Sequence, residues 1–295
     1  MIIIYYIKGS GLAGLSAGIS LLNQNENVKI IEKKNKIASK VSDDCISNKA
    51  YSLLKKLEIE LDYCQRYKVI VLFYKSDFIG LSRIKPIYFI NKNELNSKLL
   101  KRYKKLGGEI EFNTKNTIET YDYIATGYKS NVLNNQAFIV RASLNKMVNM
   151  PKIYINYLDK GYAWIFPTKN GGNYGVTGVA NNDLDMMKSF KSFSSYLGID
   201  YTKVNSELKY LPDSVSKPIK KNILGSNGGL INPITRKGIY YDLLSGTSLG
   251  EENKNIVKKI KNDKFIRDIF YNMSYISSKV IKNKKIRKLV INKVL

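Results

Sequence analysis

The sequence predicts an α/β fold in which a Rossmann-like parallel-sheet domain is interrupted by a mostly antiparallel β-sheet insertion. Three observations carry this. The chain opens on an apolar run, "MIIIYYI", then a turn with glycines at positions 9, 11 and 14, then small and apolar residues at helical spacing. A second apolar run, "NVKIIEKK", closes these pieces into a βαβ unit. From about residue 136 to 214 the pattern changes to alternating runs, and after 223 glycine-rich turns and a helical pattern return.

Each element has a local reason. "MIIIYYI" has no polar break, as befits a strand buried on both faces, and "LSAGISLLNQ" carries the following helix. Residues 48–57 read as helical, while "YKVIVLFY" and "IKPIYFI" read as strands. "NELNSKLLKRYKKLGG" is a helix with Asn93 as its expected N-cap and two glycines at its end. "YDYIATG" is a strand ending in a turn. In the insertion, "AFIVRAS", "KIYINYL", "GYAWIFP" and "NYGVTGVA" alternate as strands, followed by the helical "DLDMMKSFKSFSSYLG". The expected division is therefore a discontinuous nucleotide-binding domain (1–66, 91–135 and 215–251) and a β-sheet substrate domain (67–90 and 136–214). A basic helical segment (252–295) completes the chain.

The glycine turn carries the first chemical signal. In Gly9-Ser10-Gly11-Leu12-Ala13-Gly14 the first glycine permits a tight turn and the second lets backbone amides approach a pyrophosphate. The third permits close packing of helix on sheet. Glu32, followed by Lys33, ends the next strand 18 residues after Gly14, where a carboxylate accepts hydrogen bonds from an adenosine ribose. Ala125-Thr126-Gly127 offer small residues for close passage of a bound adenylate. About a hundred residues on, "NILGSNGGLINPITRKGIYYDLLSG" supplies Gly225 and Ser226 in a loop, then Pro233, then a helix opening near Thr235–Gly238. The free N–H groups of that helix start, at Gly238 and Ile239, suit the pyrimidine side of a flavin, where negative charge collects on reduction.

Together these stretches resemble the geranylgeranyl reductase family of FAD-dependent oxidoreductases, which shares a fold with the aromatic hydroxylases. The resemblance spans about residues 1–250 and rests on "GSGLAG" with Glu32, on "ATG", on "GYAWIFP" followed by "NYGVTGV", and on "LINPITRKGIYYDLLSG". It implies FAD as cofactor and an isoprenoid lipid as substrate, with hydride passing from reduced flavin to a C=C bond. It implies that Tyr162, Trp164 and Phe166, which alternate onto one strand face, line an apolar cavity with Pro233 nearby. Cys45 lies in the region where the family carries a cysteine close to the flavin, and Lys92 stands where related flavoproteins have arginine. The chain departs from the family at Gly225-Ser226, in place of Gly-Asp, and at Thr235-Arg236-Lys237-Gly238, in place of Thr-Gly-Glu-Gly. An aromatic monooxygenase of the same fold and a non-catalytic flavin- or lipid-binding protein are the alternatives. The electron donor is not indicated.

Composition bounds the rest. There is no histidine, which excludes Ser-His-Asp catalysis and His-ligated metal, and the two cysteines, Cys45 and Cys64, cannot build a four-thiolate zinc site; no metal is expected. The sparse cysteines fit a cytoplasmic setting. A net charge of +25 predicts attraction to polyanions. No nucleic-acid recognition motif accompanies it. The basic "SSKVIKNKKIRKLVINKVL", with interleaved apolar residues, suits peripheral contact with an anionic membrane surface.

Overall fold

The first βαβ unit forms as the sequence predicts. In the computed structural model, which describes residues 3–37, 44–114, 118, 120–128, 136–158, 160–213, 215 and 219–272, β1 (Ile4–Lys8) and β2 (Asn27–Ile31) pair in parallel. Helix α1 (Leu12–Leu22) crosses between them and is buried on almost every side. With β6 (Glu109–Glu111) and β7 (Tyr123–Ile124) they form a parallel sheet of order β6-β2-β1-β7. Small residues at its contacts let two neighbours press closely on α1. A Cβ on Gly18 would lie 2.6 Å from the ring of Tyr103, and one on Gly246 would lie 2.4 Å from the Ala13 carbonyl.

Tyr103 belongs to α3 (Lys92–Lys105), whose hydroxyl donates to the carbonyls of Val28 (2.9 Å) and Glu109 (2.7 Å), tying the helix to two parallel strands. The helix cap is Asn91, not Asn93: its Oδ1 accepts from the amides of Asn93 (3.0 Å) and Glu94 (3.2 Å). Two asparagines two residues apart are equally good caps by residue type, and only the backbone geometry chooses between them. At the other end Gly107 takes a φ of +90°, and Gly108 passes beneath the Tyr103 ring.

The second sheet has eight strands in the order β12-β8-β11-β10-β9-β4-β5-β3. Its members are β3 (Cys45–Ser47), β4 (Cys64–Tyr74), β5 (Asp77–Ile90), β8 (Gln136–Leu144), β9 (Lys152–Ile155), β10 (Tyr162–Thr168), β11 (Gly171–Val179) and β12 (Ser206–Pro212). All its pairings are antiparallel except β4 with β9. Helix α2 (Asn48–Lys56) follows β3 directly, capped by the Ser47 hydroxyl, and so links the two sheets.

Alternation divides the large sheet into two faces. Ala163 and Ile165 face α4 (Asp183–Tyr196), packing with Phe190 and Phe193, while Trp164 and Phe166 face the other way with Phe89, Ile70 and Ile231. Helices α5 (Ile239–Thr247) and α6 (Asn253–Asn272) complete the fold. No described helix is long and apolar enough to cross a membrane. The basic stretch after residue 276, assigned above to membrane contact, lies outside the described residues.

Candidate flavin cleft between the two sheets

The three motif glycines have separate roles in the structure. Gly9 has a φ of +103° and lies against β7, where a Cβ would come within 2.7 Å of the Ala125 carbonyl. A Cβ on Gly14 would sit 1.9 Å from the Gly9 carbonyl, so α1 packs on the turn with no space to spare. A Cβ on Gly11 would meet nothing within 4 Å beyond its own stretch of chain. That residue is the N-cap of α1, no side chain caps the helix, and the first turn contains no acid. An open cradle at an uncapped helix N-terminus is a site for an anionic group.

Glu32 closes the same loop from β2. Its Oε2 accepts from both the amide and the hydroxyl of Ser10, each at 2.9 Å, and its Oε1 accepts from the Lys34 amide at 3.0 Å. The residue is 5% exposed, and its carboxylate keeps further lone pairs for a ribose hydroxyl. Lys33 points to solvent beyond it.

The late glycine-rich segment reaches this loop by adding to the parallel sheet. Ile124 donates to the Asn222 carbonyl (2.8 Å) and Leu224 donates to the Ile124 carbonyl (2.9 Å), so residues 222–224 run beside β7. The turn Gly225–Gly228 then stands over α1, where a Cβ on Gly225 would come 2.8 Å from that of Ala13. Thr126 holds the turn through Asn227 (3.1 Å), and Asp242 of α5 accepts from the Ser226 amide at 2.7 Å. Asp242 therefore brings a carboxylate to the loop position where the sequence has Ser226. Next, Asn232 Oδ1 accepts from the amides of Ile234 (2.9 Å) and Thr235 (2.8 Å), turning the chain toward Gly238, the N-cap of α5.

These pieces line a cleft that opens to solvent. Of the expected cofactor and substrate residues, Gly11, Leu12, Ala13, Ala125, Gly127, Ser226, Gly238, Ile239, Cys45 and Tyr162 line it. Gly9, Ser10, Gly14, Thr126 and Gly225 shape its walls from behind, through the packing and hydrogen bonds just described. Pro233 is buried and offers its carbonyl to Arg267 (3.3 Å). Lys92, Lys209, Arg236 and Lys237 add cations to the lining, against one carboxylate, Asp242. Lys209, Asn96 and Asp242 escaped sequence reading. Asp242 had a signal, as an acid in the first turn of a helix, whereas Lys209 is one lysine among many.

The aromatic strand divides. Tyr162 lines the cleft and donates to the Thr235 carbonyl at 2.6 Å, joining the large sheet to the loop before α5. Trp164 and Phe166 share its face but are 0% and 1% exposed, packed in the sheet core rather than on the cleft. Trp164 lies over Gly175 on the paired strand, where a Cβ would be 2.5 Å from the indole, and its Nε1 donates to Asn173 at 2.8 Å. A large ring opposite a glycine and an amide opposite an indole N–H are packing complements. "GYAWIFP" and "NYGVTGV" therefore belong together because one strand seats the other.

Two further groups give the cleft its electrostatics. Lys237 Nζ donates to Cys45 Sγ at 3.2 Å, 192 positions apart in sequence. Arg236, with a φ of +54°, turns inward to Asp213 (2.6 Å), which also binds Arg267 through both carboxylate oxygens. Burial alone would raise the Asp213 carboxyl, but hydrogen bonds and charge from Arg267 and Arg236 outweigh it and hold the group at about 2. Arg267 also pairs with Asp268 at 2.7 Å, so the two buried guanidinium groups are held by two carboxylates, with Asp213 shared between them.

No protein family and no curated protein matches the chain. Solved structures do. A flavin-dependent brominase, Bmp2, superposes with a TM-score of 0.65 at 14% identity, covering 99% of this chain and 93% of its own. The chain has the fold of these flavin-dependent enzymes. The oxygenase of 2-methyl-3-hydroxypyridine-5-carboxylic acid, in a mutant form, gives 0.62 at 13% identity, with 98% and 93% covered. The peptidyl tryptophan dihydroxylase QhpG gives 0.64 at 10% identity, with 90% and 74% covered.

Proposed function

We propose that the protein is an FAD-dependent oxidoreductase. The observation that carries this reading is the convergence of the open Gly11 cradle and the Gly225–Ile239 segment on one cationic cleft, with Glu32 bound to Ser10 beside the cradle, in a fold whose solved examples include flavin-dependent enzymes. The amides at the start of α1 would hold the pyrophosphate, Glu32 the adenosine ribose, and the start of α5 the pyrimidine edge. Lys92 and Lys209 would add charge to the phosphate-bearing side. Bound there, FAD would supply the redox chemistry, as hydride donor or as partner of dioxygen.

The finer reading is reduction of a C=C bond in an isoprenoid lipid, supported by the sequence resemblance. In a chain without histidine, the Cys45–Lys237 pair meets the need for a proton source: Lys237 Nζ keeps a proton 3.2 Å from Cys45 Sγ. The thiol or the ammonium would protonate the carbon opposite the one receiving hydride. A monooxygenase is the second reading, favoured by structural neighbours that include an oxygenase and a dihydroxylase.

The absorption spectrum of the purified protein with added FAD tests the first statement. Anaerobic photoreduction followed by geranylgeranyl lipid tests the finer one. Reoxidation coupled to loss of an alkene supports the reductase; reoxidation only by oxygen in the presence of an aromatic substrate supports the oxygenase. A protein that cannot be loaded with FAD overturns both.

A further inference from the structure

Four consecutive residues, Thr235 to Gly238, line the flavin cleft on the side of α5. They belong to a turn that begins at Asn232 and delivers the chain to the N-cap of α5. Asn232 is its hub. Its side chain accepts from the amides of Ile234 and Thr235, its carbonyl accepts from the Arg236 amide at 2.9 Å, and its own amide donates to the Lys237 carbonyl at 3.2 Å. The turn carries strain: Arg236 holds a φ of +54°, a left-handed conformation that a residue with a Cβ keeps only where its surroundings impose it.

Much of what imposes it comes from α6. Asp263 and Arg267 stand four residues apart on one face of that helix and are 7% and 2% exposed. The Asp263 carboxylate accepts from Asn232 Nδ2 at 2.9 Å and also pairs with Lys259 at 2.7 Å. A carboxylate offers only acceptors, so the first bond fixes which end of the Asn232 amide faces the turn: Nδ2 toward α6, Oδ1 toward Ile234 and Thr235. Arg267 donates to the Pro233 carbonyl at 3.3 Å and, through both terminal nitrogens, to Asp213, which also binds Arg236. The large sheet adds the Tyr162 hydroxyl at the Thr235 carbonyl, and Lys160 offers its carbonyl to Arg236 at 3.3 Å.

An apolar pair on that face of α6 would cover the turn without the desolvation that a buried acid and base incur. It could not set the orientation of the Asn232 amide, nor reach Arg236 through a shared carboxylate. Neither Asp263 nor Arg267 lines the flavin cleft, so whatever they do to it passes through the turn.

We propose that Asp263 and Arg267 are positioning residues: from a helix that the sequence sets apart as a basic segment, they hold the Asn232–Gly238 turn in its strained form. The turn in that form places Lys237 Nζ beside Cys45 Sγ and the first amides of α5 at the cleft. The role toward the cofactor rests on the flavin reading; the grip on the turn does not.

Hydrogen exchange of the full chain, resolved to the 232–239 segment by mass spectrometry, tests the grip. Two variants loosen it: Asp263→Ala, and Arg267→Lys, which keeps the charge but loses the fork. In each, exchange of the Ile234, Thr235 and Arg236 amides should quicken about tenfold, as in a locally opened unit. Phe190→Leu, in the packing under α4, should destabilise the chain and leave this segment as in the parent. The reduction potential of bound FAD, measured by dye equilibration in the same variants, tests the positioning. Displacing Lys237 and the α5 amides weakens their hold on the negative charge of reduced flavin. The potential should therefore fall by about 30 mV, a tenfold change in the ratio of reduced to oxidised affinity, and Phe190→Leu should not move it. Unchanged exchange in both α6 variants overturns the proposal. Faster exchange with a parent-like potential makes the contacts structural and overturns the positioning role. A parent chain that takes up no FAD overturns the flavin reading instead, and exchange alone then decides the grip.

Discussion

Two glycines of one motif should fail in opposite assays when given the same methyl group. At Gly14 a Cβ would sit 1.9 Å from the Gly9 carbonyl oxygen, and Cβ atoms do not approach other heavy atoms closer than 3.0 Å. Helix α1 must therefore retreat from the turn by roughly an ångström, and both partners are backbone, so no side chain can swing aside. Overpacking of this kind costs about 1–3 kcal/mol. Alanine's better helix propensity offsets about 1 kcal/mol of that. The offset is smaller than the strain, because α1 is also pinned by Tyr103 and by Gly246 of α5. Gly14→Ala should lower the melting temperature by several degrees, at about 2–4 °C per kcal/mol for a chain of this size class. At Gly11 the same methyl meets nothing within 4 Å and the φ of −75° is ordinary for alanine. Gly11→Ala should unfold within about 1 kcal/mol of the parent, the cost of an N-cap change, yet lose FAD affinity because the methyl occupies the cradle. Thermal unfolding without cofactor and FAD titration by absorbance separate the two. If Gly14→Ala melts with the parent, or Gly11→Ala keeps full FAD affinity, the packing argument is wrong.

Asp213→Asn should destabilise by about 3–5 kcal/mol, because it takes the shared buried carboxylate from Arg236 and Arg267 and leaves Arg267 only Asp268; chemical denaturation measures it. The parent triad's contribution should be complete above about pH 4, the range of a free aspartate, and should vanish as the pH falls toward the folded value of about 2. A melting temperature flat across that window would contradict the triad. Trp164→Phe should cost stability, by breaking the bond to Asn173 and leaving a gap over Gly175, while leaving substrate KM nearly unchanged; a large KM effect would return the indole to the substrate site. Tyr103→Phe should cost about 1–3 kcal/mol, since the carbonyls of Val28 and Glu109 lose their shared donor in a buried place.

Several parts of this architecture are legible one residue at a time. The βαβ start reads from an apolar run, a glycine spacing and an acid, because each glycine answers a local steric demand of the turn that any chain must meet there. The alternation of Tyr162, Trp164 and Phe166 likewise puts them on one face by strand geometry alone. Which of the three meets open space does not follow from alternation. Register decides it, by seating Trp164 opposite Gly175 and letting Tyr162 fall at the sheet's end beside Thr235. The choice of Asn91 over Asn93 as a cap is a smaller case of the same kind.

From the sequence alone came the fold class, a parallel sheet interleaved with an antiparallel one, and the tight glycine turn before α1, since these rest on periodicity and on short-range backbone sterics. Tertiary structure decided the chemistry: Lys237 beside Cys45, Asp242 at the Ser226 amide, and two arginines on Asp213. Such pairs are separated by tens to hundreds of residues along the chain. A lysine in a lysine-rich sequence bears no mark of its partner, because Coulomb and hydrogen-bond forces act through space over a few ångströms and not along the backbone.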